Sequence, residues 1–243
     1  MPRSEQTRVP YLDFHTHLLP NMDDGSRSVE ESLEMIRKML SQRVGFAAAV
    51  PHFYASSDDP VRFFERRKNA YRSLRESMAQ QRIKFPIRIG AEVNYFVGIT
   101  VMDELPQFRI QGSNLLLLEM PFSSWNDRTV SDILELTRRS EYQIVLAHVE
   151  RYLSYKGNRY LLNRFASHGV KMQVNASSFE GFFGKRRMLS LYDEGLIHFI
   201  GSDCHNSTSR PPNAADAYEC LAEARGQDAV SELLHHGADA LIG

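Results

Sequence analysis

Short apolar runs alternate along this chain with longer amphipathic stretches. The runs at residues 11–15, 46–50, 87–91, 115–118, 144–147, 172–175 and 198–202 have the length and composition of buried strands. Between them, residues 28–43, 60–81, 127–140, 157–168, 185–194 and 212–225 read as helices. In the first of these, Val29, Leu33, Ile36 and Leu40 fall on one face, and Ser28 with Glu31 forms a capping box at its start. About seven strand-helix units predict parallel strands with helical crossovers, for which a closed barrel is the best architecture. No internal repeat or low-complexity linker interrupts the pattern. The 243 residues are therefore expected to form a single domain, 1–243, with a polar N-terminal extension at residues 1–10.

An apolar content of 42% is enough for a sizeable core. The formal net charge of -1 lacks the cationic bias of a general nucleic-acid or membrane binder, so no nucleic acid is expected as a partner. No apolar run is long enough to span a bilayer, and no membrane insertion is expected. Cys204 and Cys220 are too few for a disulfide framework, and the polar start carries no signal-peptide core. A cytoplasmic location follows as the expectation.

The candidate chemistry sits where strands should end. Asp13-Phe-His15-Thr-His17, Pro51-His52, Gly90-Ala-Glu92, Leu146-Ala-His148 and Gly201-Ser-Asp203-Cys-His205 each place His, Asp or Glu at or just after an apolar run. Asp24 and Glu119 supply further candidates. A barrel would bring all of them to one mouth. His15 and His17, two residues apart on a strand, share a face and can reach one ion. Imidazoles and carboxylates without clustered thiolates suit Mn, Fe, Zn or Mg better than a sulfur-rich structural zinc site. His168, His198, His235 and His236 lie outside these segments and read as structural or surface residues.

Further pieces run from Asp23-Asp-Gly25 through Ala147-His-Val-Glu-Arg-Tyr152, Gln173-Val-Asn-Ala-Ser-Ser178 and Phe183-Gly184 to Arg210-Pro-Pro212. Together with the segments above, they resemble the CpsB/CapC group of bacterial protein-tyrosine phosphatases within the PHP superfamily. His-x-His and Ser-Asp-x-His alone mark only the wider superfamily, which includes histidinol-phosphate phosphatases; Asp-Asp-Gly, His-x-Glu-Arg-Tyr and Arg-Pro-Pro narrow it. The resemblance covers nearly the whole chain and implies an α/β fold, a distorted TIM-like (β/α)7 barrel. It also implies three divalent metal ions, manganese favoured. The implied substrate is a phosphotyrosine protein, a bacterial tyrosine kinase tail in the regulation of capsule or exopolysaccharide synthesis.

Carried over by residue, the resemblance implies that His15, His17, Glu92 and Asp203 hold one ion. Glu92, Glu119 and His148 would surround a second, and Asp24, His52 and His205 the third. Arg151 and Arg210 match the arginines at the phosphate, where a planar guanidinium donates two parallel hydrogen bonds. Hydrolysis by a metal-activated hydroxide, with no covalent intermediate, is the mechanism expected.

Three other readings stay open. Cys204 and Arg210 have the Cys-x5-Arg spacing of thiol-dependent phosphatases, although the loop between them lacks glycine. The fold could serve as a non-catalytic kinase-binding regulator. The substrate could instead be a small metabolite such as histidinol phosphate. For recognition, Phe53, Tyr54, Phe122 and Trp125 are candidates for an apolar wall around a phenyl ring. The cations between Arg62 and Arg75 are candidates for docking an acidic tail. The end of the chain, from His235, only loosely resembles the family's terminal helix.

Overall fold

The computed structural model describes residues 9–242. The expected N-terminal extension therefore lies outside the described residues, apart from Val9 and Pro10. Seven strand positions follow one another in a parallel ring. The first is β1 (Tyr11–Thr16). The second is split into β2 (Val44–Ala49) and β3 (His52–Phe53), and the third into β4 (Ile87–Ile89) and β5 (Glu92–Asn94). Single strands β6 (Leu115–Glu119), β7 (Gln143–Leu146), β8 (Lys171–Asn175) and β9 (Phe199–Gly201) complete it. β1, β2 and β4 form one sheet, and β3, β5, β6, β7, β8 and β9 the other. The ring closes where His17 N donates to Cys204 O at 3.0 Å and Asp203 N donates to His15 O at 2.8 Å.

The two splits distort the barrel, and each has a local cause. Pro51 has no N–H to offer the ladder, so pairing lapses after Ala49. At Gly90 the segment carrying Ile110 presses in: a Cβ there would lie 3.0 Å from the Ile110 side chain. The expected strands 46–50 and 87–91 thus match the first pieces, β2 and β4; the second pieces, β3 and β5, lie beyond them and carry the candidate ligands His52 and Glu92.

Alternation along the strands sorts side chains into two apolar layers. Leu115, Leu117, Val145 and Ala147 fill the barrel interior with Phe14 and Phe199, whose rings stack at 3.9 Å. Leu116, Leu118, Ile144 and Leu146 face outward, under the helices. The helices are α1 (Val29–Ser41), α2 (Pro60–Gln80), α3 (Asp127–Leu136), α4 (Asn158–Ser167), α5 (Gly181–Asp193), α6 (Ala214–Arg225) and α7 (Gln227–Ile242). Ser28 caps α1 as expected, accepting from Glu31 N at 3.2 Å, but the Glu31 carboxylate accepts from Arg27 N rather than from Ser28. α5 begins four residues before its expected start at 185. α7 is more than a loose tail: Gly237 packs against Leu12, and Leu241 joins the interior cluster at the end opposite the strand C-termini.

Candidate metal centre

All the expected donors gather at the C-terminal ends of the strands, and the backbone shows how. β1 has a register shift against β2 between Asp13 and Thr16. Phe14 therefore packs in the barrel interior while the next residue, His15, also turns inward to contact Gln173. His15 Nε2 lies 3.1 Å from His17 Nε2. Two glycines permit this packing. A Cβ on Gly25 would lie 2.3 Å from His17 O, and one on Gly201 would lie 2.4 Å from His15 Cβ. His148 and Asp203 sit in left-handed backbone, at φ 34° and 53°. Such strain in non-glycine residues concentrates at functional sites.

The donors fall into three overlapping groups. Glu92 Oε2 is 3.2 Å from His15 Nε2 and 3.5 Å from His17 Nε2, and Asp203 Oδ1 is 3.4 Å from His17 Nε2. His148 Nε2 lies 2.9 Å from Glu92 Oε1 and 3.4 Å from Glu119 Oε1. Asp24 Oδ1 lies 3.6 Å from His52 Nε2 and 3.3 Å from His205 Nε2. The structure thus brings each of the three expected sets together. It adds cross-links between them: His17 also joins the third group, and His52 joins Glu92 and Glu119. Asp24 is the exposed member, at 67%.

The charges in this pocket fit cations. Burial favours a neutral His17, yet Asp23, Asp203 and Glu92 outweigh it and raise its pKa well above the ordinary value. Burial likewise opposes ionisation of Glu92, but His15, His148 and His17 hold its pKa well below the usual carboxylate range. Glu92 Oε2 and His205 Nε2 are buried with other donors of the cluster close by, yet neither makes a well-aligned hydrogen bond. An unpaired buried acceptor is costly, and coordination to a divalent ion removes that cost. The donor set of five imidazoles and four carboxylates suits Mn, Fe, Zn or Mg.

Behind the donors stands a layer whose residues belong to the family-like segments but carried no expected role. Gln173 Oε1 contacts His15 Nδ1 at 3.1 Å and accepts from His148 N at 2.8 Å. Its amide nitrogen donates to Asn175 Oδ1 at 3.0 Å, and Asn175 Nδ2 donates to Asp203 Oδ2 at 2.8 Å. Two neutral amides on β8 therefore tie three candidate ligands together. Their two-residue spacing, the same as that of His15 and His17, was the available signal. Asp23, one position before Asp24, contacts His17 Nδ1 rather than pointing into the cluster.

Arg151 Nη2 and Arg210 Nη2 each lie 2.9 Å from Asp203 Oδ2, at the half-exposed edge of the cluster. Together with Ser177 and Glu180 they line a cavity of about 390 Å³. Cys204 takes no part in it. Its side chain is buried in the outer apolar layer, and burial, with Asp13 and Asp203 nearby, pushes its thiol pKa well up. A thiolate there is disfavoured, which removes the support for a Cys204/Arg210 thiol phosphatase.

The expected phenyl wall divides. Tyr54 lies beside His52, with ring centroids 5.3 Å apart, and Phe122 stacks on His148 at 5.7 Å. Phe53 and Trp125 instead belong to the outer core, against Phe63 and Phe108 and against Tyr152 and Phe165. The basic stretch from 62 to 75 divides too. Arg66 reaches Asp58 near the mouth, Arg67 turns inward to Gly90 O and Gln107 O, and Arg75 lies down the helix over Tyr71. One helix of this length cannot present all these cations to one ligand.

The family model described as capsular polysaccharide synthesis, CpsB/CapC, matches residues 11–243. Tyrosine-protein phosphatase CpsB of Streptococcus agalactiae is 26% identical over 248 residues, spanning 95% of this chain and 98% of its own. Tyrosine-protein phosphatase YwqE of Bacillus subtilis is 26% identical, spanning 95% of this chain and 91% of its own. A solved structure from a description of Bacillus subtilis YwqE and Streptococcus pneumoniae CpsB as unique metal-dependent tyrosine phosphatases has a TM-score of 0.83 at 26% identity, covering 95% and 94% of the two chains. With its distorted parallel barrel and its clustered mouth, this chain belongs to the CpsB/CapC family.

Proposed function

We propose that this protein hydrolyses phosphotyrosine on proteins, with residues 11–243 acting as one domain and divalent ions held by the nine donors at the barrel mouth. The observation that carries the reading is the convergence of those donors on one pocket, edged by Arg151 and Arg210. His15, His17, Glu92 and Asp203 form one site; Glu92, Glu119 and His148 a second; Asp24, His52 and His205 a third. Manganese is the favoured metal. Bound divalent ions lower the pKa of coordinated water and offset charge on phosphoryl oxygens.

The chain's own residues supply orientation and charge. Arg151 and Arg210 hold the phosphoryl group through their planar donors, which phosphoryl transfer rewards because positioning and charge compensation carry most of its catalysis. Tyr54 and Phe122 flank the entrance and receive the phenyl ring. No side chain needs to act as nucleophile, and the phenol leaves with little help because its pKa is about 10. Among the described residues, no helix is long and apolar enough to cross a membrane. In this reading the protein is cytoplasmic and its physiological substrate is a bacterial tyrosine kinase tail that governs capsule or exopolysaccharide synthesis; the names of the relatives and the family support the phosphotyrosine substrate and the link to capsule.

The test is turnover of a phosphotyrosine peptide by chelator-treated protein before and after manganese is restored, beside histidinol phosphate. Manganese-dependent turnover that favours the peptide supports the proposal. Preference for histidinol phosphate overturns the substrate, and metal-independent turnover overturns the mechanism.

A further inference from the structure

Ten large apolar side chains are exposed among the described residues, and most of them, Tyr54, Phe122, Phe182 and Phe183 included, come soon after a strand or open the helix that follows. The metal centre opens at those strand ends, and Tyr54 and Phe122 bring apolar surface up to His52 and His148. Exposed apolar surface gathered in one region marks a binding face.

Phe182 and Phe183 stand out within it. They are 74% and 81% exposed, and their rings pair edge-to-face at 5.4 Å with each other alone. Gly181, at φ 68°, turns the chain into α5 just before them. The residues immediately before that turn belong to the arginine cavity, which Ser177 and Glu180 line. On the other side, Phe182 lines a groove of about 520 Å³ with Lys185, Arg186 and Leu189. The pair thus stands between the phosphate cavity and a groove that carries apolar surface, the cations Lys185, Arg186 and Arg225, and the carboxylates Asp193 and Glu194.

We infer that Phe182 and Phe183 form a docking subsite for the phosphoprotein itself, taking an aromatic side chain that flanks the phosphotyrosine in an acidic segment. The inference rests on the phosphatase reading above. Lys185 pairs with Glu223 and Arg225 with Asp193, which leaves Arg186 as the cation of the groove that complements an acidic residue of such a segment. Aromatic and basic side chains together also suit a lipid surface. A bilayer against this face would cover the mouth and shut out a protein substrate, so the phosphoprotein is the occupant favoured.

The experiment compares the manganese-loaded protein with its Phe182→Ser/Phe183→Ser variant, whose changes are at exposed positions. Substrates are p-nitrophenyl phosphate, an acidic phosphotyrosine peptide with flanking aromatic residues, and the same peptide with serines in their place. The variant is expected to keep kcat/KM on p-nitrophenyl phosphate and on the serine peptide. On the aromatic peptide it should lose on the order of tenfold, mainly in KM. Equal kinetics of the two proteins on the aromatic peptide would overturn the inference while leaving the phosphatase reading intact. So would unchanged peptide kinetics with lost binding to phosphatidylserine vesicles, which would assign the pair to a membrane. Absence of phosphotyrosine turnover by the unaltered protein would overturn both.

Discussion

Asp23 Oδ2 lies 2.7 Å from His17 Nδ1. The same oxygen accepts from His52 N at 2.8 Å, so one carboxylate joins two of the ligand-bearing segments. Burial opposes its ionisation, but His17 and the backbone donors bring its pKa down to about 2. An anion at Nδ1 keeps the proton there and leaves Nε2 aimed at Glu92 and Asp203.

Asp23→Ala should therefore weaken manganese binding by about 10- to 100-fold, the usual effect of removing a partner that orients a ligand. Titration calorimetry on chelator-treated protein measures it, with circular dichroism to confirm the fold. Unchanged affinity would mean that packing alone orients His17.

The ligand-bearing segments were legible because each breaks a rule: a charged or titratable group follows an apolar run, where an unpaired charge is costly. Six of the seven helices among the described residues were legible from their periodicity, α1 most plainly, whereas α7 was not among those expected. What the sequence hid depends on distant chain. The break at Gly90 is caused by Ile110, which comes from the irregular segment before β6. Gln173 and Asn175 are neutral, so nothing in a charge pattern marks them, although they hold His15, His148 and Asp203. Asp23 and Asp24 are chemically alike, and only the turn around Gly25 sends one to His17 and the other toward His205. Phe53 and Trp125 looked like mouth residues because they follow strand ends; packing against other aromatic rings draws them into the core.

The two arginines converge on one acceptor. Asp203 Oδ2 receives Arg151, Arg210 and Asn175, while Oδ1 faces His17. Each guanidinium carries five N–H donors, so the contact to Asp203 leaves others for phosphoryl oxygens. Arg210→Ala should lower kcat/KM on a phosphotyrosine peptide on the order of 10²-fold, the scale of losing one donor to developing charge. Arg210→Lys restores charge but not the fork, and should stay about tenfold below the unaltered protein. Full recovery with lysine would show that charge alone is used.

Without bound metal, the cluster makes stability depend on pH. Burial lowers the pKa of His148, but Glu119 and Glu92 outweigh it and raise it from 6.5 to about 9. The folded protein then keeps a proton that the unfolded chain gives up. This contribution is complete below pH 6.5 and is lost as pH rises through about 9. The melting temperature of chelator-treated protein should fall across that window, while manganese affinity rises as the competing proton leaves. Thermal scans at several pH values, repeated on His148→Ala, provide the check: the variant should show the shallower decline, and identical slopes would place the effect elsewhere.

Cys204 separates metal-dependent from thiol-dependent chemistry. Its neighbours Asp203 and His205 face the donors, while its own side chain packs in the outer apolar layer, behind the barrel wall. Asp13, whose buried carboxyl has its own pKa raised to about 6, lies close enough to push the thiol further from ionisation. Cys204→Ala should therefore cost about 1 kcal/mol of stability, the scale of one small buried group, and leave kcat for phosphotyrosine hydrolysis within about twofold. His148→Ala should abolish turnover under the same conditions, since it removes the imidazole that stands beside Glu92 and Glu119 in one proposed ion site. Steady-state kinetics of the two variants with manganese present decide the matter. Loss of turnover in Cys204→Ala with metal content unchanged would require the thiol to reach the phosphate, which its burial forbids in this fold.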